Sequence, residues 1–206
     1  MQKLLLAIVA TMIALAAWAA LRPQDPYAIA NPDPNHTHAD FAVWVNGEQM
    51  KYDGEEFMSE AEDEETDEDH EAHGHKHHPY LHLHDGQGHV IHRHKPGISV
   101  GEFFQSLQLD FDTLCYISTM PMADGQICGE TPFRMFVNGE ERLLDPDYVF
   151  EDLDQILFTN AATDAQVQKE LEQMTEDACL YSQRCPWKGE PPEENCIADP
   201  AVPCIE

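Results

Sequence analysis

The chain is short of positive charge. Against 39 Asp and Glu it carries only 11 Lys and Arg, a formal charge of −28 over 206 residues. A field of that sign repels phosphate backbones and anionic lipid surfaces, which excludes nucleic acid as a partner and makes cations the natural counterpart. Catalytic punctuation is missing too. There is no G-x-S-x-G elbow, no phosphate-binding glycine loop and no C-x-x-C pair. That removes the common signatures of serine hydrolases, nucleotide-binding proteins and thiol oxidoreductases. Long apolar runs are confined to one place.

That place is the amino terminus, where Leu4 to Leu21 is interrupted only by Thr11. Eighteen helical residues at about 1.5 Å each reach roughly 27 Å, near the lower limit for a bilayer. Residues 1–21 are therefore expected to form a signal-anchor or transmembrane helix. The expected location is the cell membrane, single-pass, with the soluble part extracytoplasmic. Ala17-Trp18-Ala19 also offers a cleavage site, and cleavage would leave the protein secreted. Residues 22–35 are a proline-rich linker that lifts the rest of the chain off the surface. The six cysteines, an even number in an exported chain, are expected to form three disulfides. Sequence proximity pairs Cys115 with Cys128, and Cys179, Cys185, Cys196 and Cys204 among themselves.

What the chain has in excess is histidine, and all 12 lie between His36 and His94. In "PYLHLHDGQGHVIHRHKPG" two H-x-H pairs flank a glycine turn. Side chains alternate along a strand, so the register decides which of them share a face. A three-residue loop, Gly86-Gln87-Gly88, sets His82 opposite His92, puts His84 and His94 on the same face, and sends Leu81, Leu83 and Ile91 to the other. An even loop would mix apolar and polar residues on both faces. The odd loop is favoured, and it brings imidazoles within the roughly 4.5–5.5 Å spacing of cross-strand neighbours. His36 and His38 repeat the H-x-H spacing on a strand able to lie beside the hairpin.

Imidazole suits zinc, copper and nickel. The candidate ligands are His82, His84 and His92, with His94, His36 and His38 completing one or two sites. Asp40 or Asp85 would fix an imidazole tautomer from behind. The expected cofactor is a transition metal ion, zinc or copper. The competing account is simple alternation on a polar sheet face.

The rest of the chain reads as alternating short elements. "FAVWVNGE" and "FRMFVNGE" are strands that turn at Asn46-Gly47 and Asn138-Gly139, a hairpin signal. Residues 59–78 are acidic and then His-rich, with too few apolar positions to pack, and are expected to be a disordered insertion. Ser99 and Glu102 form a capping box for a helix burying Val100, Phe103, Phe104 and Leu107. Gln155 to Thr159 is an apolar strand. Thr163 caps a helix showing Val167, Leu171 and Met174 on one face, and residues 162–206 are that short helix followed by a disulfide-rich tail.

The order hairpin, helix, VNG strand and the late Asp152-Leu153-Asp154-Gln155-Ile156 resembles the β-grasp fold of small sulfur-carrier proteins over residues 79–161. The resemblance implies an α+β class, with one helix packed across a mixed sheet closed by a late strand, and a His-rich domain over 36–161. No Gly-Gly terminus follows, so sulfur-carrier chemistry is not implied. The segments "HTHADFAVWVNGE", "HLHDGQGHVIHRHKPG" and "DACLYSQRC" resemble an uncharacterised family of N-terminally membrane-anchored, His-rich prokaryotic surface proteins. That likeness implies export and architecture, and no activity. The expected function is an extracytoplasmic receptor or buffer for Zn, Cu or Ni. Its expected partners are the metal ion, the membrane through the N-terminal helix, and a metal transporter or exported metalloenzyme. The alternatives are a mononuclear zinc lyase or hydrolase with three histidine ligands and a pH-sensing surface interaction protein.

Overall fold

A computed structural model of the chain describes residues 29–33, 35–58, 78–120 and 125–192. The expected anchor, most of the linker, the acidic stretch 59–77 and the segment bearing Cys196 and Cys204 lie outside the described residues. Among the described residues, no helix is long and apolar enough to cross a membrane.

Among the described residues, ten strands and three α-helices follow in order: β1 (Thr37–Val45), β2 (Glu48–Gln49), β3 (Leu81–His82), β4 (Val90–Arg93), α1 (Val100–Ser106), β5 (Leu109–Phe111), β6 (Cys115–Ser118), β7 (Gly125–Cys128), β8 (Arg134–Val137), β9 (Glu140–Arg142), β10 (Gln155–Thr159), α2 (Asp164–Leu171) and α3 (Ala178–Tyr181). The main sheet runs β3-β4-β1-β10-β8-β9, with β2 paired to β1. β1 and β10 are parallel, and the other neighbours are antiparallel. This is the α+β class expected, a helix packed on a mixed sheet closed by a late strand.

The frame reaches beyond the 79–161 stretch that carries the resemblance. Its first strand is β1, which pairs directly with both β4 and the closing β10, so it begins at Thr37, inside the 36–161 span, rather than at the His hairpin. β3 is an edge strand added outside β4. A second, three-stranded antiparallel sheet, β5-β6-β7, sits between α1 and β8. It was not foreseen, because β7 is exposed along its length and lacks apolar alternation. The Cys115–Cys128 disulfide forms there between directly paired residues.

Both VNG sites turn as expected. Asn46 and Gly47, and likewise Asn138 and Gly139, take positive φ, the conformation that Asn-Gly supplies at least cost. Ser99 and Glu102 make the full capping box at the start of α1, which buries Val100, Phe103 and Phe104 against Phe41 and Phe158. Thr163 caps α2. Val167, Leu171 and Met174 then pack on Ala42, Phe136 and Leu157 across the opposite sheet face. The sheet is therefore covered on both sides. Odd-numbered β1 residues Phe41, Val43 and Val45 meet α1, while even-numbered Ala42 and Trp44 meet α2. Trp44 thus serves the second core.

Candidate metal centre

His36 and His38 lie at the start of β1 and share the even parity of Ala42 and Trp44. The β1–β4 pairing sets His38 directly opposite His92, and the β3–β4 pairing sets His82 opposite His92. The expected register of the hairpin is thus present, and Leu81, Leu83 and Ile91 are buried on the other face.

The turn itself is wider than three residues. The ladder stops at His82, and Leu83 leaves it to bridge Met58. Asp85 and Gly86 take positive φ, and Gly88 lies so close to the Tyr52 backbone that a Cβ would sit 2.2 Å from its carbonyl carbon. Packing on Tyr52 pulls the loop off the hairpin axis.

The six candidate histidines form a closed belt. Centroid distances run His84–His92 3.8 Å, His92–His38 4.7 Å, His38–His36 4.3 Å, His36–His94 4.0 Å, His94–His82 4.8 Å and His82–His84 5.6 Å. Within it, one ring nitrogen each of His36, His38 and His92 lies within 4.8 Å of the others, a group able to hold a metal ion. Zn–N bonds of 2.0–2.1 Å in tetrahedral geometry place ligating nitrogens about 3.3 Å apart. Small ring rotations close that gap.

Outer contacts orient two of the three rings. The Ser182 hydroxyl donates to Asp152, so its oxygen is left to accept from His38 Nδ1 at 2.7 Å. Asp85 accepts from His84 Nδ1 at 2.8 Å, which leaves His84 Nε2 to accept from His92 Nδ1 at 3.0 Å. A hydrogen on Nδ1 puts the ring's lone pair on Nε2. The Nε2 atoms of His36, His38 and His92 are all buried. The grouping therefore differs from the one that the hairpin suggests. His84 stands behind His92, and His82 and His94 face each other, Nε2 to Nε2 at 3.3 Å.

Asp85 does stand behind an imidazole. Asp40 does not. It accepts from the Thr175 hydroxyl and from the Asp177 and Ala178 amides, and burial pushes its carboxyl up against the pull of those bonds. It anchors the segment that covers the belt, and that cover is what sequence reasoning missed. α3 and the following turn lie over the histidines, with Tyr181 edge-on to His92 at 4.6 Å. Ala178 and Tyr181 pack with Val90, His89 meets Asp177 at 3.0 Å, and a Cys179–Cys185 disulfide closes the turn. Four of the six rings are buried, with His92 0 % exposed, His38 1 %, His94 4 % and His82 6 %.

The chain has no match among family models, curated proteins or solved structures. Its function is therefore argued from this geometry. Of the remaining histidines, His78 bridges Leu81 and its Nδ1 accepts from the Tyr80 amide, with burial lowering its pKa. His70, His73, His75 and His77 lie outside the described residues.

The Ser182 contact makes a specific claim. Ser182→Ala leaves the His38 ring without its outer acceptor, and outer partners of metal-bound histidine are worth about 10–100-fold in affinity. Competition for zinc against a chromophoric chelator should show a loss of that size. Undiminished affinity would mean that the serine does not orient a ligand.

Proposed function

We propose that this chain is a transition-metal binding protein, a receptor or buffer for Zn, Cu or Ni, anchored at the membrane by residues 1–21 with its folded part extracytoplasmic. The observation that carries this reading is the convergence of His36, His38 and His92 from two paired strands into one buried group, backed by Ser182 and His84. Six imidazoles gathered into one belt, four of them buried, are an uneconomic way to decorate a surface. The charge of −28 favours cation capture. A receptor of this kind would pass its ion to a metal transporter or an exported metalloenzyme.

A zinc lyase or hydrolase is the second reading, because three nitrogen ligands leave a fourth position open for water. Burial under Tyr181 counts against it. A cavity of about 760 Å³ on the neighbouring surface is lined by Thr37, Arg93 and Phe150 among others, with no histidine in its lining. Hydration of CO₂ or turnover of simple esters by the zinc-loaded protein would favour the enzyme.

The deciding experiment is titration of zinc and copper into the metal-free full-length protein, followed by thermal unfolding. A native-state ligand at about 1,000 times its Kd adds roughly 4 kcal/mol to stability. The expected result is tight binding with a clear rise in Tm. Binding that leaves Tm unmoved would place the metal on unfolded segments and overturn the proposal.

A further inference from the structure

We propose that the belt holds a second transition-metal ion, zinc or copper, on His82 and His94, beside the ion of the His36–His38–His92 group. The inference rests on the reading of this face as a metal centre.

Two observations carry it. First, His82 Nε2 and His94 Nε2 face each other at 3.3 Å, and both residues are buried. Two imidazoles on one tetrahedral ion have nitrogens about 3.3 Å apart, so the pair already stands at ligand spacing, and an ion would take the place of the hydrogen shared between the rings. Second, the pair is separate from the first group yet continuous with it. Its residues come from β3 and from the position just after β4, where the His94 amide donates to the Tyr80 carbonyl and holds that stretch of backbone against Tyr80. The His36 ring lies 4.0 Å from His94 and 4.3 Å from His38, so it stands between the two positions and can serve either.

The first group lies under Tyr181 and α3. Tyr181 packs against His38, His84 and His92, so it covers that side of the belt. The His82–His94 side lies next to Tyr80 and the His78–Leu81 bridge. The second position would then be the one filled from, and emptied to, that side. Paired sites of unequal cover suit a protein that takes up an ion and hands it on.

The test uses the full-length chain with His70, His73, His75 and His77 replaced by Ser, so that weak capacity outside the belt does not count. Zinc is titrated under native mass spectrometry and against a competing chelator, with circular dichroism confirming the fold of each variant. Two tight equivalents are expected. His82→Asn with His94→Asn should leave one, at the affinity of the first group. His38→Ala should leave one instead at the second position.

A single equivalent in the parent overturns the second site, as does a double variant that still binds two. If His38→Ala changes nothing while the double variant loses an ion, the first group fails and the second position stands. A measurement that needs no substitution backs this up. With Cu²⁺ the electron paramagnetic resonance signal at two equivalents should show dipolar broadening that is absent at one. Unbroadened spectra at two bound equivalents would place the second ion outside the belt and overturn the assignment.

Discussion

A His38→Ala chain is expected to lose its tight metal site while keeping its fold. Structural zinc sites with four protein ligands are worth about 10–16 kcal/mol, so one ligand's share is roughly 3–4 kcal/mol, or about 10²–10³-fold in affinity. His38 is the residue to change because it is buried, stands opposite His92 and has its Nδ1 engaged by Ser182. Any histidines in the 59–77 stretch that bind metal must be ordered for each ion they hold, whereas those on β1 and β4 are already held by the sheet. Zinc titration of this variant should therefore show the His36–His38–His92 site gone, leaving the His82–His94 equivalent and weak binding. An unchanged number of tight equivalents would mean that these three imidazoles are packing residues, and the metal reading of that group would fail.

The second large effect concerns the cover. Replacing Cys179 and Cys185 together by serine opens a loop of sequence separation 6, for which chain entropy predicts a loss of about 2 kcal/mol. Applied to local opening of α3 and its turn, 2 kcal/mol raises the open population about 30-fold. Metal release to an excess of chelator, followed by stopped flow, should accelerate by about that factor. Affinity should fall less than for His38→Ala, since every ligand remains. An unchanged release rate would show that the ion leaves by the His82–His94 side without the cover moving.

Much of the architecture was legible because local chemistry and global packing agree. Asn-Gly at 46–47 and 138–139, the Ser99–Glu102 box and the Thr163 cap each specify a backbone conformation within a few residues. The hairpin register followed from parity, since any other would have put Ile91 among histidines. Cys115 and Cys128 paired as their proximity suggested, and Cys179 with Cys185 likewise.

The partition of the six histidines was not legible. It depends on β1 lying against β4, and that adjacency is made by pairing across 54 positions, His38 to His92, with no local signal to announce it. The place of β1 at the centre of the sheet was hidden for the same reason. The acidic stretch interrupts the first hairpin of the frame, which made the later His hairpin look like its beginning. The cover was missed because "DACLYSQRC" has no periodicity: its contribution lies in single contacts from Tyr181, Ser182 and Asp177, each dictated by tertiary position. Asp40 was read as an imidazole partner on parity alone. Its carboxylate instead turns toward the amides at the start of α3.

The bond from His38 to Ser182 joins residues 144 positions apart. A chain synthesised from its amino terminus therefore presents its first two candidate ligands early, completes the group with His92 near mid-length, and gains the serine and the tyrosine cover only when nearly all of it has emerged. During that interval the imidazoles are exposed on a half-built sheet, without the oriented tautomers or the dry surroundings of the finished fold. Non-local pairing of this kind is slow to form. Any metal selectivity of the finished group would then be acquired at the end of folding, when the Ser182 contact and the Tyr181 cover are in place.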